Sequence, residues 1–84
     1  MLTVYTKNNC GYCMMAKSLL KNKNIEFEEI NVDLNEDARD FLVSGGHRTM
    51  PQIYENNQLY VHGGYEGLKK KLEEKIDTTQ LGSL

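Results

Sequence analysis

Both cysteines of this chain lie two residues apart in Cys10-Gly11-Tyr12-Cys13, and what surrounds them limits the fold more than any other stretch. A short β-type run, Leu2 to Thr6, precedes the pair, and a helical pattern follows it at once. Paired thiols at a strand-to-helix junction form a candidate reversible dithiol/disulfide couple. A bridge across so short a loop constrains the unfolded chain little, so a purely structural staple is a weak explanation. Two histidines, His47 and His62, could complete a zinc site with the thiols. Their separation in sequence is far from finger spacing, and we expect no metal there.

With 84 residues the chain has room for one domain, which we place over 1–84. A hydrophobic share of 39% and a charged share of 26% are those of an ordinary globular protein. A net charge of −2 gives no electrostatic reason to bind nucleic acid. No apolar run approaches ~18 residues, so we expect no membrane span. No basic region followed by an apolar stretch opens the sequence, and with only two cysteines we expect a reducing, cytoplasmic setting.

The chain divides readily into elements. Leu2 to Thr6 predicts a first strand, and Lys7-Asn8-Asn9 a polar turn. Tyr12, Met15, Ala16, Leu19 and Leu20 recur at helical spacing over a helix from Gly11 to about Lys23. Ile25 to Val32 alternates, but its phase slips at Glu28-Glu29, so the strand either carries a bulge there or ends near Asn31. Asp33 or Asn35 caps a second helix with Ala38, Phe41 and Leu42 on its apolar face, closed by Gly45-Gly46. Gln52-Ile53-Tyr54 and Leu59-Tyr60-Val61 predict a hairpin turned through Glu55-Asn56-Asn57-Gln58, since Asn tolerates positive φ. Tyr65, Leu68, Leu72 and Ile76 mark a third helix, and 77–84 reads as a frayed tail. The order is βαβαββα, an α/β arrangement opening with a parallel βαβ unit.

The position of the first cysteine carries the chemistry. A thiolate attacks disulfides, and an ordinary cysteine with pKa ~8.5 supplies little of it at neutral pH. Cys10 stands just before the first helical turn, where free backbone N–H groups and the helix dipole favour an anion, and Lys7 adds positive charge. Cys13 lies one turn in, beside the apolar face and shielded. Cys10 is therefore expected to attack substrate and Cys13 to resolve the mixed disulfide. Pro51 on its own reads as a trans, strand-start proline. Gly63-Gly64, before the last helix, either forms a plain turn or lets a ligand approach the backbone.

Tyr5-Thr6-Lys7 leading to Cys10-Gly11-Tyr12-Cys13, then Thr49-Met50-Pro51-Gln52, then Gly63-Gly64-Tyr65-Glu66, together resemble the dithiol glutaredoxins from Leu2 to about Leu72. The resemblance implies a thioredoxin-like fold, with a four-stranded mixed sheet in the order 2-1-3-4 flanked by three helices. It implies a glutathione-dependent thiol–disulfide oxidoreductase that reduces protein disulfides and glutathione mixed disulfides, with ribonucleotide reductase as a recipient. Lys7 would hold a glutathione carboxylate and Tyr12 line the groove. Met50, beside Thr49 and before what in the family is a cis proline, here Pro51, would pair its backbone with the glutathione cysteine. Gly63, Gly64, Tyr65 and Glu66 would receive the γ-glutamyl end. We expect a monomer with no tightly bound cofactor and glutathione as co-substrate.

The departures from that pattern are specific. Gly11 stands where the family usually has Pro. Gly67 stands where it usually has a second acidic residue, a loss worth ~1–3 kcal/mol of glutathione binding unless Glu66 substitutes. Asn8-Asn9-Cys10, Glu28 to Asp33, and Gly46-His47-Arg48 resemble instead the NrdH-type redoxins, which thioredoxin reductase recharges in place of the glutathione reductase system. Their usual Ser-Gly-Phe-Arg-Pro end motif is absent here. A third expectation follows from Gly11, because some relatives with a small residue there bridge a [2Fe–2S] cluster between two protomers, with glutathione as co-ligand.

Overall fold

Leu2, Val4 and Thr6 turn to one side of a central strand and are buried there, while Thr3 and Tyr5 face the other side. That strand organises the computed structural model, which describes the backbone of residues 1–83 and the side chains of 1–73. The elements are β1 (Leu2–Thr6), α1 (Gly11–Asn22), β2 (Phe27–Asn31), α2 (Glu36–Ser44), β3 (Gln52–Glu55), β4 (Gln58–Leu59) and α3 (Gly64–Ser83). They form one sheet in the order β2-β1-β3-β4. β1 pairs with β2 in parallel and with β3 antiparallel, and β3 pairs with β4 antiparallel. The expected mixed sheet in the order 2-1-3-4 with three helices is thus the fold observed.

Each face of the sheet has its own apolar cluster. Leu2, Val4 and Ile53 pack against Ala16 and Leu20 of α1 and Leu68 of α3. On the opposite face Val32 and Tyr54 pack against Leu42 of α2, with Tyr5 and Met50 at the margin. Fully buried leucines such as Leu20, Leu42 and Leu68 contribute about 1.5–3 kcal/mol each. Tyr54 meets Tyr5 and Phe41 edge-on there, with centroids 5.5 and 5.4 Å away, and Tyr5 and Phe41 are tilted against each other at 6.0 Å.

Several local expectations are sharpened or corrected. Asn35, not Asp33, caps α2, its side-chain oxygen accepting from the Ala38 N–H at 3.0 Å. β2 runs without a bulge and ends at Asn31, the second of the two alternatives. Its phase slips because Glu29 is drawn into polar contacts with Lys17 and Thr6. β4 is only Gln58–Leu59, shorter than the expected Leu59-Tyr60-Val61, although Tyr60 N–H still donates to Ile53 O at 2.8 Å. The hairpin turns through Asn56 and Asn57 at φ 50° and 68°, as the asparagines predict.

The inward stripe of α1 is Cys13, Ala16 and Leu20, so Tyr12 and Met15, expected on the apolar face, are exposed. The α3 backbone continues to Ser83 where a frayed tail over 77–84 is expected; no proline or glycine interrupts residues 68–81. Leu84 and the Ile76 side chain lie outside the described residues. No helix among the described residues is long and apolar enough to cross a membrane.

Candidate redox site

The turn after β1 delivers Cys10 to the start of α1. Asn9 takes φ 55°, which an asparagine tolerates, and Cys10 is then the extended N-cap residue of the helix at φ −116° and ψ 102°. Its Sγ accepts a hydrogen bond from the Cys13 backbone N–H at 3.1 Å, as a capping oxygen would. A sulfur held this way faces the unpaired N–H groups of the first turn, an environment that favours a thiolate. Cys10 and Cys13 are joined by a disulfide, with Cα atoms 5.2 Å apart. Cys10 is partly accessible, whereas Cys13 is 2% exposed. Only one of the two sulfurs is open to an incoming substrate.

The turn is tied down from the side. Asn8 N–H donates to Asp33 Oδ2 at 2.8 Å, and Asn31 Nδ2 donates to Asn8 Oδ1 at 3.0 Å. Asn31 Oδ1 in turn accepts from the Asp33 N–H at 2.8 Å. The end of β2 thereby fixes the loop that presents Cys10. Asn8, Asn31 and Asp33 lie in the blocks that resemble the NrdH-type redoxins, but their joint role emerges only when β1 and β2 pair in register.

Across from Cys10 the Met50–Pro51 peptide is cis, where the proline alone reads as trans and the family resemblance implies cis. Met50 O lies 3.7 Å from Cys10 Sγ. Gln52 Nε2 donates to Thr49 O at 2.8 Å and fixes the approach to this edge. A cleft of about 530 Å³ opens between the two. Lys7, Cys10 and Tyr12 form one wall, and Thr49, Met50 and Pro51 form the floor. Gly63, Gly64, Tyr65 and Glu66, at the start of α3, close the other side. All the ligand-contact residues expected from the sequence meet here, and Cys13 lies beneath them. The Tyr12 and Tyr65 rings stack across the cleft with centroids 6.1 Å apart.

The glycine loop is built for close approach. Gly63 and Gly64 take φ 89° and 58°. Gly67 is equally constrained, because a Cβ there would overlap the carbonyl oxygen of His62. An acidic side chain at this position would therefore require the His62 backbone to shift. Glu66, exposed and lining the cleft, is the carboxylate that remains on that side.

Below the site, Thr6 Oγ1 donates to Glu29 Oε2 at 2.9 Å, and Lys17 Nζ lies 3.1 Å from both carboxylate oxygens. Burial pushes the Glu29 carboxyl up. The hydrogen bonds from Lys17 and Thr6 and the charges of Lys17 and Lys21 outweigh it and hold the group below its usual value. Among the described residues no three His, Cys, Asp or Glu side chains converge to hold a metal.

The glutaredoxin family model matches residues 2–60. The glutaredoxin-like protein NrdH of Salmonella typhimurium is 42% identical over 52 residues, 62% of this chain and 64% of that protein. The match thus spans just under two thirds of that relative's length. Glutaredoxin 1 of Rickettsia prowazekii is 35% identical over 79 residues, 90% of this chain and 82% of that protein. Among solved structures, the NrdH-redoxin of Escherichia coli, described by a thioredoxin-like activity profile, superposes with a TM-score of 0.70 at 28% identity. That superposition covers 82% of this chain and 91% of that one.

Proposed function

The chain belongs to the glutaredoxin family, and from that membership we propose that it is a glutathione-dependent thiol–disulfide oxidoreductase acting on protein disulfides and glutathione mixed disulfides. The observation that carries the proposal is the cleft in which an N-capping cysteine sulfur faces the Met50–Pro51 edge, with Lys7 at one end and the Gly63–Glu66 start of α3 at the other. Glutathione has a matching layout, with a central thiol, a glycine carboxylate at one end and a γ-glutamyl group at the other.

The chemistry proceeds by two exchanges. The Cys10 thiolate attacks one sulfur of a substrate disulfide, forms the Cys10–substrate mixed disulfide and expels the other substrate sulfur as a thiolate. Cys13, deprotonated in turn, attacks Cys10 Sγ and closes the Cys10–Cys13 bridge, expelling the second substrate thiolate. The substrate gains two electrons and the protein loses two. Recharging reverses this with two glutathione molecules, which leave as glutathione disulfide. For a glutathione mixed disulfide Cys10 alone suffices, since a second glutathione releases the adduct. The exposed backbone of Met50 aligns the incoming cysteine by strand-like pairing, and Lys7 attracts the glycine carboxylate. Ribonucleotide reductase is the recipient that the family resemblance implies.

A second reading, recharging by thioredoxin reductase, has its own support. The tied Asn8–Asn31–Asp33 turn belongs to the blocks that resemble the NrdH-type redoxins, and two matches carry that name. NADPH oxidation coupled through glutathione and glutathione reductase, run beside the same assay with thioredoxin reductase, separates the two. Turnover only in the first supports our reading, and turnover only in the second replaces it. A [2Fe–2S] cluster would take Cys10 as its one accessible protein thiolate from this chain, and the remaining ligands would come from glutathione and a second copy. Anaerobically purified protein without visible absorbance would argue against cluster binding.

A further inference from the structure

A second cleft, of about 490 Å³, opens beside the first, and the two share Lys7 and Met50. Its walls are the residues after β2, the side of α2 that carries Arg39 and Val43, and the loop bearing His47 and Arg48. Lys7, Arg39 and Arg48 bring three positive charges to it. Asp33 is the one carboxylate in the lining, and its Oδ2 already accepts from the Asn8 N–H. The whole chain carries a net charge of −2, so the sign is reversed locally. Among the described residues the recorded ion pair is Lys17–Glu29, and Lys7, Arg39 and Arg48 have no carboxylate at ion-pair distance. Glu36 and Asp40 share a different hollow with Arg39, one that Lys7 and Arg48 do not line. Exposed like charges converging on a groove favour an anionic occupant.

We propose that this cleft receives the segment following the reacting cysteine in a protein substrate, and that it selects acidic residues there. The inference rests on the redox function proposed above, and it follows from the direction of glutathione in the first cleft. With the γ-glutamyl end at Gly63–Glu66 and the glycine carboxylate at Lys7, the chain after the cysteine points to Lys7. A tripeptide ends at that point. A polypeptide continues into the second cleft, where its carboxylates meet Arg39 and Arg48 and its apolar groups meet the exposed Val43.

The test uses single-cysteine peptides carried as mixed disulfides with thionitrobenzoate. Attack by reduced Cys10 on the peptide sulfur releases the chromophore and leaves the peptide on Cys10. Peptides with three acidic residues after the cysteine, three acidic residues before it, or serines on both sides are compared. The peptide with acids after the cysteine reacts about tenfold faster than the serine peptide at low salt, and salt at ~0.5 M removes most of the gain. Arg39→Ser with Arg48→Ser brings the acidic-to-serine ratio close to one. Equal rates for all peptides, a preference for acids before the cysteine, or a ratio that survives the double substitution overturns the inference. If no peptide reacts, the redox function fails instead. A peptide with serine in place of cysteine then decides the docking alone. Saturable amide shifts at Arg39 and Arg48 with the acidic form support it, and their absence overturns it.

Discussion

Gly64 lies so close to Pro51 that a Cβ built on it would come within 2.8 Å of the proline carbonyl oxygen, and its φ of 58° already disfavours a side chain. This contact seats the start of α3 against the floor of the redox cleft. Gly64→Ala therefore costs about 1–3 kcal/mol from the backbone conformation and the overlap together. Gly11→Ala is the control, since nothing lies within 4 Å of a Cβ there. Thermal melts of the two variants measure the difference.

Gly67→Asp restores the family's usual acidic residue but places a Cβ against the His62 carbonyl. We expect a lower melting temperature and no gain in glutathione affinity, whereas Glu66→Gln weakens glutathione binding without destabilising the fold. Calorimetric titration with glutathione, paired with melts, checks both. A stable Gly67→Asp variant that binds more tightly would show that the His62–Gly67 packing yields easily.

Asp33→Ala removes the acceptor for the Asn8 N–H and loosens the turn that presents Cys10. A hydrogen bond to a carboxylate contributes about 1.5–3 kcal/mol at most, and less where it is exposed as here. The expected result is slower exchange, with faster hydrogen–deuterium exchange confined to residues 8–10. A uniform loss of protection across the sheet would indicate a general stability role instead.

The Glu29 carboxyl sits below its unfolded value in the native state, so its contribution to stability is present above the unfolded value and is lost as pH falls through the folded one. Glu29→Gln should lower stability near neutral pH by less than ~1 kcal/mol, since the pair is largely solvated. Urea unfolding at pH 7 and pH 3 should show the variant and parent converging at the acid end.

The elements were legible because each carried a local signal. Cys10 before a helical run, Asn35 before α2, Gly45 after it and Asn56-Asn57 in the hairpin each mark a boundary. What failed were choices of face. Tyr12 and Met15 have helical spacing, yet Cys13 occupies the inward position and turns Tyr12 to the cleft. Glu29 breaks the alternation of β2 for the sake of Lys17 and Thr6, which no period reveals. The one cleft to which Lys7, Met50 and Gly64 contribute required the three sequence blocks to be read together as a family pattern. Arg39 carries no sequence signal and Arg48 stands out only within the Gly46-His47-Arg48 block, because isolated arginines on a helix and in a loop look like solvated surface until the fold brings them beside Lys7.

Cys10→Ser should abolish exchange with every disulfide. Cys13→Ser should retain reduction of glutathione mixed disulfides and stall on protein disulfides, because the buried sulfur is the one that resolves them. Steady-state rates with the two substrate types separate these effects, and exchanged phenotypes would reverse the assigned roles.

The most direct measurement is intact and peptide mass analysis of Cys13→Ser after exposure to glutathione disulfide. One glutathione per chain is expected, attached to Cys10 and absent from Cys10→Ser under the same conditions. No adduct, or an adduct forming on Cys13 of the Cys10→Ser variant as readily as on Cys10, would contradict it.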